Sequence, residues 1–481
     1  MTLPLYNIDK LLSKEGGAFY NFKAIFFITE EEHVMAEQFT STKDLKRTLG
    51  FKELLGTCIG AIIGTGIMSL TGAGIGMTGR SIPIAFILAG ILTLIVRCPQ
   101  IFINSVARFR GGQYSMVGSL LGPRWSGTFS IISVLTSVTL SMYALSFADY
   151  AMPFLPMIPR KIIALGILTF LFVVNSFGIN VFAKVQSFTV ILLVLALTLF
   201  SVFGITHIDA NYLEPATFMP GGIKGILRAA VLMSLATDGC QMITDLSGEC
   251  KNPTRDIPKA MICGTMLVAG MYAVIGTVAA GVLPVDQVAD KSLLLVAQEV
   301  LPRPVYLFFV IGGAWMALVT TLNSSIAAAT KPLMQACSDG WYPKSWAKLH
   351  PKYRTPLILL GIYYLWGFFP IVFDLDIGII SELTITVGSV TKAMIVLSLL
   401  RLDKVMGEHW KASPFHIKQN KLRILGIVVL TVIVFQAVTS ALDLPLPLLL
   451  GNLAMVVFAF IFGGLRYKSG KVNVEVSYEW T

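Results

Sequence analysis

Charge is scarce in this chain. Asp, Glu, Lys and Arg together make up 13% of its 481 residues, against 55% hydrophobic ones. That balance excludes an ordinary soluble globule and points to a polytopic membrane protein. Histidine is scarcer still. All five (His33, His207, His350, His409 and His416) fall outside the apolar runs, so no histidine metal site is expected at membrane depth. The six cysteines (Cys58, Cys98, Cys240, Cys250, Cys263 and Cys337) stand in or beside apolar runs without CxxC spacing. A disulfide framework or a metal cluster is therefore not expected, and buried free thiols are expected instead. Also missing is a basic start followed by a short apolar core and a small-residue cleavage site, so no secretory leader is expected. The net charge of +10 is carried by short basic segments between apolar runs, a pattern set by membrane topology rather than by nucleic acid.

What is present in quantity is apolar sequence. Twelve spans, each near the ~20 residues a helix needs to cross a bilayer, fall at about 51–78, 81–103, 126–152, 161–181, 185–206, 224–249, 257–283, 304–335, 355–374, 377–401, 423–442 and 444–466. An even number puts both termini on one side. With loops assigned alternately, Lys and Arg on that side outnumber those on the other about four to one, which predicts that it is cytoplasmic. Turns on the other side carry Asp286, Asp290, Asp374, Asp376 and Asp443. The expected organisation is a cytoplasmic segment (1–50, with Met35 as an alternative start), two five-span halves (51–206 and 207–401), two further spans (402–466) and a cytoplasmic tail (467–481).

Two of the spans are interrupted. The first, from Leu54 to Met68, is crowded with glycine, and each glycine weakens a helix by roughly 1 kcal/mol relative to Ala. Gly64-Thr65-Gly66 is therefore expected to break it. Irregular backbone at membrane depth is tolerated only where protein or a water-filled cavity satisfies it. The sixth span carries a polar, helix-disfavouring Thr237-Asp238-Gly239 at similar depth. Five spans separate the two breaks, an odd number, so the halves must be inverted relative to each other. Matching breaks in inverted halves point to a transporter site at the repeat interface. Close packing of small residues is the plainer reading of the glycines, but it does not account for Asp238, a charge that costs several kcal/mol at bilayer depth. Lys392, deep in the tenth span, is the other charge at depth. An Asp238–Lys392 pair would remove two isolated charges from the apolar interior.

Four blocks resemble a known family. Gly60-Ala61-Ile62-Ile63-Gly64-Thr65-Gly66-Ile67 is similar to the first-helix signature of the amino acid–polyamine–organocation superfamily of permeases. Gly111-Gly112-Gln113-Tyr114 with Gly122-Pro123 resembles the family's loop after helix 2. Gly239 followed by Gly248-Glu249-Cys250-Lys251-Asn252-Pro253 resembles the segment after helix 6. Asp339-Gly340-Trp341-Tyr342-Pro343 with His350-Pro351 to Thr355-Pro356 resembles the segment after helix 8.

The resemblance covers about 45–465. It implies an all-α fold of twelve transmembrane helices, a five-plus-five inverted repeat with broken helices 1 and 6, and two extra C-terminal helices. It also implies that substrate is held by the exposed backbone of Ile63, Gly64, Thr65, Gly66 and Ile67 and of Leu235, Ala236, Thr237, Asp238 and Gly239. Two positions depart from the family's pattern. Leu235 stands where a bulky aromatic gate is usual, and Leu193 where the exchanger branch has a lysine. In Thr320-Thr321-Leu322-Asn323-Ser324-Ser325, hydroxyls of Ser324 and Ser325 could join helix-1 carbonyls around a sodium ion, although such residues are also ordinary packing groups.

The expected function is secondary transport of an amino acid or related amine by alternating access across the plasma or inner membrane. A polyamine permease, or a membrane sensor binding the same ligand without transport, is the alternative. Short loops without a signalling domain argue against the sensor. Asp238 and Lys392 supply no nucleophile–base or metal constellation, so no enzyme activity and no metal or other cofactor are expected; coupling to Na+ or H+ is open. The expected partners are the small-molecule substrate and the lipid bilayer, with no nucleic acid, and the chain is expected as a monomer or weak homodimer. Selectivity is expected to rest on Leu235, Thr237, Tyr143 and parts of spans 3, 8 and 10.

Overall fold

In a bilayer core no water pairs with backbone N–H and C=O, so a long apolar run satisfies them within itself by becoming a helix. The computed structural model describes residues 41–474 and 477–480; Met35 lies outside them. In chain order the main helices are α1 (Phe51–Ile62), α2 (Thr65–Thr78), α3 (Ile82–Asn104), α4 (Gly112–Leu120), α5 (Pro123–Thr136), α6 (Thr139–Ala151), α7 (Arg160–Ser176), α8 (Ile179–Ile205), α9 (Gly222–Ala236), α10 (Pro253–Val282), α11 (Met316–Ser338), α12 (Leu357–Val372), α13 (Ile377–Ala412), α14 (Gln419–Asp443) and α15 (Leu446–Lys468). A 3-10 segment, Cys240–Glu249, continues beyond α9.

Among the described residues nine helices are long and apolar enough to cross a membrane. The first, fourth and ninth expected spans fall on the broken pair α1–α2 and on the shorter helices α7 and α12. The third span is interrupted where no break was expected, between α5 and α6. Its hydroxyls bond back to their own helix there: Thr136 Oγ1 and Ser137 Oγ donate to Ser133 O at 3.1 and 2.8 Å, and Thr139 Oγ1 to Thr136 O at 3.1 Å. Such back-bonding offers the chain an alternative to the regular ladder and bends helices.

The helices build two apolar cores. One contains Phe86 on α3, Phe200 on α8, Met233 on α9 and Tyr272 on α10, together with α1 and α2. The other contains Phe129 on α5, Leu145 on α6, Leu168 on α7, Met334 on α11, Tyr363 on α12 and Trp410 on α13. Several polar groups inside pair across helices. Asn175 Nδ2 donates to Asn323 Oδ1, Asn323 Nδ2 to Gln186 Oε1, and Gln186 Nε2 to Ser324 Oγ, all at 2.8–2.9 Å. This chain of amides locks α7, α8 and α11 together. Lys331 on α11 and Glu249 form a second lock, a buried pair at 3.1 Å.

One face gathers both ends of the described chain. The segment before α1 pairs with the stretch after the 3-10 helix, Leu49 against Cys250. Two short strands, β1 (Arg108–Phe109) and β2 (Tyr478–Glu479), pair antiparallel beside it. The Glu479 carboxylate lies 2.9 Å from Arg47, 3.7 Å from Arg108 and 3.8 Å from Arg110. Trp480 stacks on His409 near the end of α13, ring centroids 3.5 Å apart.

Candidate functional site

The site grows from the two breaks. α1 ends at Ile62; Ile63 is extended (φ −76°, ψ 100°), Gly64 follows at φ −128°, ψ −149°, and α2 restarts at Thr65. A helix that stops and restarts leaves carbonyls at one end and N–H groups at the other without helical partners. The second break follows Ala236 and passes through Gly239 at φ +140°, a region L side chains rarely adopt. The two breaks lie against each other. A Cβ on Gly239 would stand 2.4 Å from Ala61 O, and one on Gly66 would stand 2.7 Å from Ala236 Cα. Glycine is needed on each side because backbone meets backbone.

Helix α3 pins the second break. Thr93 and Arg97, one turn apart, meet Thr237 and Asp238 respectively. Thr93 Oγ1 and Thr237 Oγ1 are 2.8 Å apart, and Arg97 Nε donates to Asp238 Oδ1 at 2.7 Å while its Nη2 donates to Oδ2. Arg97 is buried, with 3% of its side chain exposed, whereas Asp238 keeps 31%. The fork geometry of guanidinium and carboxylate makes this a bidentate pair.

At the first break, three carbonyls converge on one hydroxyl. Thr321 Oγ1 lies 3.2 Å from Gly60 O, 3.2 Å from Ile63 O and 2.9 Å from Ala317 O. Thr320 Oγ1 also lies 2.9 Å from Ala317 O. A hydroxyl has one hydrogen to donate, so Thr321 cannot satisfy all three at once. Neutral oxygens gathered in this way, with no carboxylate, are the donor set that suits a hard monovalent cation.

Beside the breaks a cavity of ≈ 300 Å³ opens against the second core, lined by its Phe129, Leu140 and Tyr363. Its wall includes Arg97, Tyr143, Gln241, Ser325 and Lys392, with hydroxyls of Ser133, Thr136, Ser137 and Thr139 where α5 gives way to α6. Asp245 lines it too, its carboxylate accepting from Gln113 N–H at 2.8 Å and Gln113 Nε2 at 3.0 Å.

The expected residues are thus partly gathered. Ile63 to Ile67 and Ala236 to Gly239 form the paired breaks but do not line the cavity, which begins at Gln241. Leu235 does not face it either: α9 buries Ala229, Ala230, Met233 and Ala236 and exposes Leu227, Val231 and Leu235, the last 53% exposed. The helical period turns Leu235 outward, so it is not placed to gate the cavity. Ser324 points to Gln186 on α8, and Ser325 lines the cavity and donates to Thr321 O. The hydroxyl that meets the α1 carbonyls is Thr321, one turn earlier on the same helix. Asp238 is paired with Arg97, not Lys392, which stands in the cavity wall nearby. Arg97 escaped the sequence reading because a cation near the end of an apolar span reads as part of the next loop. Its spacing of four from Thr93, in an otherwise apolar run, was the available signal.

The family model described as "Amino acid permease" matches residues 49–464. The branched-chain amino acid permease BcaP of Bacillus subtilis is 28% identical over 343 residues, 66% of this chain and 72% of that protein. The serine/threonine exchanger SteT of the same organism is 26% identical over 342 residues, covering 67% and 76%. A methylthioribose transporter, also from Bacillus subtilis, is 25% identical over 342 residues, covering 66% and 73%.

Proposed function

The chain belongs to the amino acid permease family, whose members are transporters rather than enzymes, and from that premise we propose that it is a secondary transporter of amino acids working by alternating access in a plasma or inner membrane. The observation that carries this reading is the direct contact of the two helix breaks. On this reading, N–H groups at the start of α2, with the positive end of that half-helix, receive the substrate carboxylate. Carbonyls at the end of α9, with its negative end, receive the ammonium. Backbone from Ile63 to Ile67 and from Ala236 to Gly239 does the holding, and the cavity beside it admits the rest of the solute. The twelve-span inverted repeat, with the terminal face cytoplasmic, is part of the same proposal.

The oxygens of Gly60, Ile63, Ala317, Thr320 and Thr321 are the proposed seat of a coupling sodium ion, whose charge would tie α1 to α11 while substrate is bound. Counterflow tests both parts. Purified full-length protein in proteoliposomes is expected to exchange labelled amino acids, faster with sodium than with choline outside. Equal rates in the two salts would remove the cation site, and no exchange of any amino acid would sink the transport reading.

A further inference from the structure

Lys392 is the charged group in the cavity wall for which the breaks provide no use. It lies on α13, and its Nζ has no hydrogen-bond or ion-pair partner among the described residues. The charges that act on it are those of Arg97 and Asp238. Arg97 gives Nε and Nη2 to Asp238, and its Nη1 has no protein partner among the described residues. The local sum is two cations and one carboxylate, a net charge of +1. The other carboxylate of the wall, Asp245, accepts from two donors of Gln113 and is not among the charges that act on Lys392.

A net charge of +1 is tolerable while water fills the cavity. Once the cavity closes around a solute, an uncompensated ammonium at membrane depth is strongly disfavoured. A neutral zwitterion, its own two charges satisfied by the helix ends, leaves that charge standing. An amino acid with a second acidic group brings it to zero. The hydroxyl of Ser133 in the same wall adds a donor for a carboxylate.

We propose that Lys392, with the free edge of Arg97, is the specificity-determining site for a substrate's side-chain carboxylate, and that the preferred substrate class is acidic amino acids. This rests on the transport reading above. It goes beyond that reading in committing to one side-chain chemistry.

The test is competition for binding to the purified full-length protein, read by thermal shift, with L-glutamate and L-aspartate against their amides L-glutamine and L-asparagine. The acids are expected to bind better than the amides. In Lys392→Met the acid-to-amide affinity ratio is expected to fall about tenfold or more, the size of one charge-assisted contact, and Lys392→Arg is expected to restore part of it. Two results overturn the proposal while leaving the transporter intact. One is amides or other neutral amino acids binding better than acids in the native protein. The other is Lys392→Met weakening acids and amides equally, which would make the lysine a holder of the common part or a proton carrier. Binding of no amino acid at all would instead remove the underlying reading.

Discussion

At Gly66 a single added carbon has nowhere to go, because the backbone of Ala236 already stands where it would be. Gly66→Leu is therefore expected to abolish counterflow. Gly56, on the same pair of helices, has open space around its missing Cβ, and Gly56→Ala is expected to keep transport and to gain up to about 1 kcal/mol of helix stability. Comparable loss in the two variants would mean that glycine content, not the contact of the breaks, is what matters. Arg97 and Asp238 invite a second comparison. Asp238→Asn leaves a buried guanidinium unpaired, at a cost toward the low end of roughly 3–5 kcal/mol because Asp238 is partly exposed. Removing both charges, with Arg97→Met added, is expected to unfold at a higher temperature than Asp238→Asn alone. Additive losses in thermal unfolding would contradict the pairing. The residues of the breaks were legible because glycine and a lone acid are conspicuous in apolar sequence. Their partners were not, because nothing in a sequence says which neighbouring helix will face them.

Helices carry phase as well as position, and most departures from expectation are errors of phase or height. Leu235 and Met233 are two residues apart on α9, yet one is exposed and the other buried. Ser324 and Thr321 are three residues apart on α11, close to one turn, enough to exchange the amide of Gln186 for the carbonyls of α1. Periodicity gives the face and leaves the height open. The terminal strand β2 was not expected at all, since two residues carry no pattern. It is held by Glu479 among Arg47, Arg108 and Arg110, and Glu479→Gln is expected to lower stability by at most about 1 kcal/mol because the carboxylate is partly exposed. The effect should fade as salt is raised. A difference in thermal unfolding that is unchanged at high salt would point to the backbone pairing instead.

On the scale of the whole molecule, the helices divide into two apolar cores, and a polar cavity is lined by Phe129, Leu140 and Tyr363 of the second together with the charged Arg97, Asp245 and Lys392. The excess of Lys and Arg on the face bearing the termini predicts its side. A tag fused after Thr481 is expected to be cleaved by protease in inverted vesicles and protected in right-side-out ones; the reverse would invert the assignment of every loop.

Composition and the rhythm of apolar runs were enough to determine a helical membrane protein, because the bilayer leaves the backbone so few solutions. Glycine and Asp238 marked both breaks, because helix-weakening residues and charges persist at such depth only for a reason. Tertiary structure alone decided that the breaks touch, that Asp238 belongs to Arg97, that Thr321 rather than Ser324 meets the carbonyls of α1, and that Lys392 is left facing the cavity. Those are contacts between residues distant in the chain, fixed by how helices rotate and slide against each other as they pack, and no local pattern records that choice.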